Sequence, residues 1–183
     1  MGYKIAEEAL KRKHKVILIS GPTNLIPPRG DKVIFIKTAD ELLKELKKNI
    51  RYADCLIMCA AVSDFRAQKI SNKKIKRKGK LNIILVPNKD ILQELAKYKK
   101  RKLFVGFNLE TSNVVENAKL KLKSKNLDII VGNRLTKYHN PFGNSKLDVD
   151  LIDRNGHIVK IKNKNKAFVA HVLLDKIEEL RYF

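Results

Sequence analysis

Two groups of residues have types and spacings that could do chemistry. The first is Asp64, which ends the apolar run Leu56-Ile57-Met58-Cys59-Ala60-Ala61-Val62-Ser63, with Lys73, Lys74, Lys76 and Arg77 close behind it. Ala60 and Ala61 are small, so a ligand can approach the backbone where the run ends. The second is Lys121 and Lys125, whose i, i+4 spacing puts both on one face of a helix, free to converge on one anion. Each group also has an ordinary reading. Asp64 then caps a helix, the basic cluster is a solvated loop, and the two lysines are an exposed helix face.

The elements around these residues decide where they stand. An unbroken apolar run from Leu56 to Ala60 reads as a strand buried on both faces of a sheet. In open α/β sheets ligands sit outside the carboxyl ends of the strands, which places Asp64 at the mouth of a site. The basic residues after it have no helical period and read as a flap. Before this stretch the pattern predicts a helix over Gly2–His14, strands over Lys15–Ile19 and Val33–Ile36, and a helix opened by the capping-box spacing of Thr38 and Glu41. After it come a strand over Leu81–Val86, a helix over Asp90–Tyr98 and a strand over Leu103–Phe107. A helix over Asn113–Lys125 and a strand over Asp128–Val131 follow. Such alternation predicts a mostly parallel α/β sheet. Gly132–Lys146 is polar, with turn signals at Asn140-Pro141 and Gly143-Asn144. Asn155-Gly156 predicts a hairpin between Leu147–Ile152 and His157–Ile161, and a final helix carries Val169, Val172, Leu173 and Ile177. No strand precedes the first helix, although the turn into that helix is the usual phosphate-binding place of a βαβ fold.

A chain of 183 residues fits one domain, taken here as residues 1–183, and its 44% hydrophobic content supports a soluble globular protein. No apolar run is long enough to span a bilayer, and Glu7 and Glu8 interrupt any signal-like start. Cys55 and Cys59 fall on one face of one strand, too far apart to bridge, and buried free thiols fit a cytoplasmic setting. The His and Cys residues show no metal-ligand spacing, so no protein metal site is expected. The net charge of +21 attracts polyanions. The lysines are spread widely and aromatic residues make up only 7% of the chain, which ranks nucleoside triphosphates above nucleic acid.

Taken together the residues resemble the phosphopantothenate–cysteine ligase family, the C-terminal part of the bifunctional coenzyme A biosynthesis protein. The resemblance runs through Met1-Gly2-Tyr3-Lys4-Ile5-Ala6, Ile19-Ser20-Gly21-Pro22 and Ala60-Ala61-Val62-Ser63-Asp64-Phe65-Arg66. Lys74-Ile75-Lys76-Arg77, Asn88-Lys89-Asp90-Ile91-Leu92 and Val105-Gly106-Phe107-Asn108-Leu109-Glu110-Thr111 follow, then Lys121 to Asp128 and Phe142-Gly143. What the resemblance implies is a three-layer Rossmann-like α/β fold with a flap and a C-terminal hairpin plus helix. It also implies a CTP-dependent ligase. CTP activates the carboxylate of 4′-phosphopantothenate as an acyl-cytidylate, and L-cysteine then displaces CMP, with Mg²⁺ or Mn²⁺ assisting and no flavin in this chain. A homodimer is implied too, and an upstream flavin-dependent decarboxylase domain in the full-length protein.

Residue by residue, Met58, Cys59 and Ala60 resemble the stretch that lines the cytidine pocket. Asp64 resembles the aspartate that contacts the nucleotide, and Lys74 the catalytic flap lysine. Asn88, Asp90, Ile91, Phe107, Lys121 and Lys125 match nucleotide-binding positions. Gly2 and Ala61 match positions near the second substrate. Three departures stand out. The family's Asn-x-Ser-Ser-Gly segment is not present, Lys89 stands in place of a proline, and Asn108-Leu109 replace two small residues. The expectation is a chain that folds and binds CTP but completes the ligation poorly. Two rivals remain, a nucleotide-binding domain without turnover and a basic nucleic-acid-binding protein.

Overall fold

The computed structural model describes residues 1–30, 32–77, 79–135, 143 and 145–181. Its elements in chain order are α1 (Gly2–Lys11), β1 (Ile17–Ser20), β2 (Lys32–Phe35), α2 (Ala39–Asn49) and β3 (Cys55–Met58). They continue with β4 (Phe65–Ala67), β5 (Leu85–Pro87), α3 (Ile91–Leu95), β6 (Leu103–Glu110) and α4 (Val114–Ser124). The last four are β7 (Ile129–Arg134), β8 (Leu147–Asp153), β9 (Ile158–Lys164) and α5 (Lys166–Arg181).

Local chemistry sets several of these boundaries. The Thr38 hydroxyl accepts from the Glu41 N–H at 3.1 Å and the Glu41 carboxylate accepts from the Thr38 N–H at 3.3 Å, closing the predicted capping box ahead of α2. Asp90 caps α3 by accepting from the Gln93 N–H at 3.0 Å. Gly156, at φ 87°, turns the chain between β8 and β9, which pair antiparallel as Asn155-Gly156 predicts.

The strands form three sheets. β3, β6 and β7 run parallel, β8 and β9 add antiparallel strands, and the five-stranded order is β3-β6-β7-β8-β9. β1 and β2 form a separate parallel pair. β4 and β5 form a separate antiparallel pair.

The last pair corrects a sequence expectation. The run Leu81–Val86 is not a sheet strand over its whole length. Only Leu85–Pro87 pairs, and its partner is Phe65–Ala67 at the base of the flap. Its apolar residues read as a strand, but Leu81, Ile83, Ile84 and Leu85 are all exposed and no layer covers them. Residues 68–77 and 79–84 contain no helix or strand, as the lack of period implied. Asn140, Pro141, Phe142 and Asn144 lie outside the described residues.

Two helix layers sandwich the five-stranded sheet. On one face α1 and α5 pack Ile5, Ala9, Val169, Leu173 and Ile177 against Val105, Ile129, Val131 and Leu151. On the other, α2, α3 and α4 pack Leu42, Leu46, Leu95 and Ala118 against Leu56, Phe104 and Ile130. Each fully buried aliphatic side chain contributes about 1.5–3 kcal/mol. Gly106 lets α4's exit come close: a Cβ there would lie 2.5 Å from Leu127.

One charge is taken fully inside. The Asp128 carboxylate, 0% exposed, accepts from the Phe104 N–H at 2.6 Å and meets Lys99 at 3.1 Å and Arg154. It locks the start of β7 to β6. Burial, with Arg154 nearby, pushes the Lys99 ammonium down to about 8.

Candidate active site

Parallel pairing of β3, β6 and β7 brings their carboxyl ends to one side of the molecule. The amino end of α1 arrives on the same side. Tyr3 hydrogen-bonds Ser20 at the end of β1 (2.9 Å), and Gly2 lies against Cys59 just beyond β3. A Cβ on Gly2 would sit 2.9 Å from the Cys59 sulfur, so glycine is what permits this approach.

Beyond β3 the chain passes through Cys59, Ala60, Ala61 and Val62 to Asp64, and this loop is held by Asn88. The Asn88 N–H donates to the Asp64 carbonyl at 2.7 Å, and its side-chain amide donates to the Ser63 carbonyl at 2.8 Å. Arg66 donates to the Asn88 side-chain oxygen at 3.2 Å and to the Pro87 carbonyl at 3.0 Å. Asn88 is therefore the staple that joins the mouth of the sheet to the base of the flap. Both polar groups of its side chain are occupied in doing so. Ala60, Ala61 and the Asp64 side chain stay exposed beside it.

Asp90, two residues on, connects this loop to α4. Its carboxylate is paired with Lys125. Burial pushes the Asp90 carboxyl up, but the hydrogen bonds from Lys125 and the Gln93 N–H, with Lys121 near, bring it below its usual value. Lys121 donates to the Phe107 carbonyl at 3.4 Å. Helical side chains lean toward the helix amino end, which carries both ammonium groups up toward the strand ends. The two lysines of the i, i+4 pair reach neighbouring but different partners, Lys125 the Asp90 carboxylate and Lys121 the Phe107 carbonyl. With Lys121 near Asp90 as well, two cations stand around one carboxylate, which leaves net positive charge there.

The remaining candidates divide by face. Phe107 is half-buried and packs on the α1 and α5 side. Met58 packs on the opposite face with α2. The Ile91 side chain is 5% exposed and belongs to the core. Lys74 is exposed on the flap, and among the described residues it makes no hydrogen bond or ion pair. Among the described residues no group of three His, Cys, Asp or Glu could hold a metal ion, and no helix is long and apolar enough to cross a membrane. Both cysteines are free. Burial pushes the Cys55 thiol up to about 12 and also raises that of Cys59, so neither is poised as a nucleophile.

Two residues near the mouth were missed by sequence reasoning. Asn108, in β6 next to Phe107, is 6% exposed with its side-chain N–H₂ unpartnered among the described residues. Its only sequence signal is that it stands where the family has a small residue. Lys166, first residue of α5, is pushed down by burial and lies close enough to the Met1 amino group to lower it further. Nothing in the local sequence could bring residues 165 positions apart together. A separate groove lined by Leu122, Lys123, Leu127, Arg154 and Asn155 lies at the other end of the strands, around the buried Asp128, away from these residues.

The chain matches the family described as "DNA/pantothenate metabolism flavoprotein C-terminal domain" over residues 1–180. It is 42% identical over 178 residues to the coenzyme A biosynthesis bifunctional protein CoaBC of Borreliella burgdorferi, covering 95% of this chain and 44% of that protein. It is 40% identical over 180 residues to a protein of an unknown prokaryotic organism named cysteine/cysteine sulfinic acid decarboxylase, covering 97% and 50%. The chain thus spans about half the length of the curated relatives it matches. Among solved structures, the C-terminal domain of a coenzyme A biosynthesis bifunctional protein CoaBC superposes with a TM-score of 0.83 at 31% identity, covering 98% of this chain and 81% of that one. That likeness gives the three layers the Rossmann-like form expected from the motifs. Matched along almost its whole length, the chain belongs to the family of DNA/pantothenate metabolism flavoprotein C-terminal domains.

Proposed function

We propose that this chain is the ligase domain that joins 4′-phosphopantothenate to L-cysteine, using CTP, in the cytoplasmic synthesis of coenzyme A. The observation that carries the proposal is the meeting of Lys121, Lys125 and Asp90 beside the end of β6, at the mouth bounded by the Cys59–Asp64 loop. A reaction that brings a triphosphate, a phosphate monoester and a carboxylate together needs cations already in place.

The chemistry balances without a protein nucleophile. A carboxylate oxygen of 4′-phosphopantothenate attacks the α-phosphorus of CTP, and the bond to the β-phosphate breaks, releasing pyrophosphate. The amine of L-cysteine then attacks the acyl carbonyl, loses a proton, and expels CMP. In this reading Lys121 and Lys125 hold the nucleotide phosphates, and Asp64 and the Met58–Ala60 main chain meet its sugar and base. Asn88 and Asp90 keep the loops in register. The main chain at Ile91 and the ring of Phe107 shape the wall, while Gly2 and Ala61 leave room for the second substrate. Lys74 comes in on the flap to offset charge at the reacting phosphorus. Mg²⁺ or Mn²⁺ would enter with the nucleotide and neutralise phosphate charge.

The same reading includes a homodimer, in which the apolar side of the flap rests on the partner rather than in water, and an upstream decarboxylase domain in the full-length protein. Single-turnover release from labelled CTP tests the activity. Pyrophosphate should require 4′-phosphopantothenate, and CMP should require cysteine as well. Lys74→Gln should slow pyrophosphate release more than it weakens CTP binding, and Lys121→Gln should weaken binding first. Pyrophosphate release that ignores 4′-phosphopantothenate, or equal thermal stabilisation by ATP and CTP, would overturn the reading.

A further inference from the structure

Among the described residues, two buried side-chain atoms lack a hydrogen bond, Asp128 Oδ1 and the Asn108 N–H₂. Asp128 Oδ1 faces the Arg154 guanidinium, so its charge is met. The Asn108 N–H₂ has no such partner. The residue is 6% exposed, and its amide carries two donors that cost free energy when they are kept from water without an acceptor. The surrounding sheet explains why the protein supplies none. Strand period puts Asn108 on the face of β6 that carries Phe104 and Gly106, opposite to Phe107. β3 pairs with β6 only as far as Met58 and Gly106, so that ladder stops two residues short of Asn108. On the other side its register partner is Gly132, which has no side chain and lets Val114 and Ala118 of α4 come close. Those two are apolar and accept nothing. The peptide that joins Phe107 to Asn108 is the one whose carbonyl accepts from Lys121 at 3.4 Å. The unmade donors therefore lie at the strand-end mouth, past the end of β3 and next to the peptide that Lys121 touches.

We infer that Asn108 is a specificity-determining residue of the proposed reaction: its buried N–H₂ donates to the O2 and N3 acceptors of the cytosine ring and rejects uracil. The inference rests on the ligase reading and names a residue that this reading leaves out. The base is favoured over the rest of the nucleotide on two grounds. The donor is neutral and nine-tenths buried, and a phosphate oxygen brought to that depth would carry its charge out of water. Lys121 and Lys125, less buried and charged, hold phosphate oxygens at lower cost. In addition, the ligase reading sets the base beside Met58–Ala60, and β6 runs alongside that stretch where Gly106 pairs with Met58. The two pyrimidines differ at the edge in question. Cytosine presents O2 and N3 as adjacent acceptors, whereas uracil presents an N3–H donor beside O2. An N–H₂ facing that N–H leaves donor against donor with no water to relieve them. A small residue at position 108, which the family resemblance leads one to expect, offers neither the donors nor this discrimination.

Calorimetric titration of CTP and of UTP tests this on wild type, Asn108→Ala and Asn108→Asp, without 4′-phosphopantothenate so that no turnover enters. Wild type should prefer CTP, and Asn108→Ala should reduce that preference by about tenfold, mostly through weaker CTP binding. Asn108→Asp, close in shape but with acceptors in place of the donors, should reduce it at least as far. The ratio of the two affinities is the readout because a merely structural role moves both together. Equal loss of CTP and UTP binding would overturn the assignment to the base and place the amide on the sugar or phosphates that the two nucleotides share. An unchanged ratio with unchanged affinities would overturn the inference altogether, while leaving the ligase reading standing on the CTP that wild type binds. A wild type that binds neither nucleotide would overturn the ligase reading, and this inference with it.

Discussion

At the residue scale, the site is built from contacts between side chains with no sequence relation to each other. Gly2 is the sharpest case. On an isolated helix Gly→Ala is favourable by about 0.5–1 kcal/mol. Here the new methyl meets the Cys59 sulfur at 2.9 Å, and overpacking of that kind costs about 1–3 kcal/mol. Gly2→Ala should therefore be neutral to destabilising alone and stabilising in a Cys59→Ala background. Urea denaturation of the four proteins in the cycle checks it, and additive effects would mean that the helix has simply moved. The sequence placed Asp90 at the start of a helix, and the structure makes it the cap of that helix. The family resemblance matched Asp90 and Lys125 only as two separate nucleotide-binding positions. Their pairing, 35 residues apart, is shown by the structure alone, since spacing relates Lys125 to Lys121 and to nothing else.

At the element scale, α1 is tied to α5 by a cluster of charges. Glu178 meets His14 at 2.7 Å and Arg12 at 2.9 Å, while Glu8 meets Arg12 at 3.0 Å and His171 at 2.9 Å. The hydrogen bond from His14 holds the Glu178 carboxyl below its ordinary value of 4.5, and that from His171 does the same for Glu8. A carboxylate depressed in the folded state adds stability above its unfolded pKa and loses it as pH falls through the folded pKa. Wild type should therefore melt above Glu178→Gln at pH 7, and the gap should close below pH 4.5. A gap that stays constant down to pH 3 would remove the clamp from the account. The flap is a different kind of element. Lys69, Lys73, Lys74, Lys76, Arg77 and Lys80 are all in an exposed stretch without helix or strand. Limited trypsin digestion should cut there before it cuts α4 or α5, and CTP should slow the cut if Lys74 closes on it. First cleavage elsewhere would contradict this order.

At the scale of the whole molecule, two features pull in opposite directions. A charge of +21 keeps copies apart, yet Ile70, Ile75, Leu81, Ile83, Ile84 and Leu85 are exposed together along the flap. So many large apolar side chains exposed within one segment favour association over a purely solvated face. The other open edge, β9, carries Lys160, Lys162 and Lys164, which discourage strand-to-strand pairing. The proposed homodimer should accordingly use the flap and not the hairpin. Light scattering should give twice the 21.0 kDa chain mass for wild type and the chain mass for the double variant Ile83→Asp, Ile84→Asp. A monomeric wild type, or a double variant that stays dimeric, would count against it.

Local rules were enough for much of this protein. The period of apolar residues set the helices and most strands, because burying one face is a local property of spacing. Thr38 with Glu41 and Asn155 with Gly156 marked a helix start and a turn, because capping and positive φ are settled within a few residues. The order of motifs carried the family, and the i, i+4 lysines were correctly placed on one face. Tertiary structure decided the rest. The run Leu81–Val86 has the apolar content of a buried strand, yet only its end pairs, because no layer of the fold lies over it. The division between β1 and β3 is likewise absent from any local pattern. Whether a strand edge is paired depends on which segment lies beside it, and that is settled by the packing of α1 and α2 across the two faces.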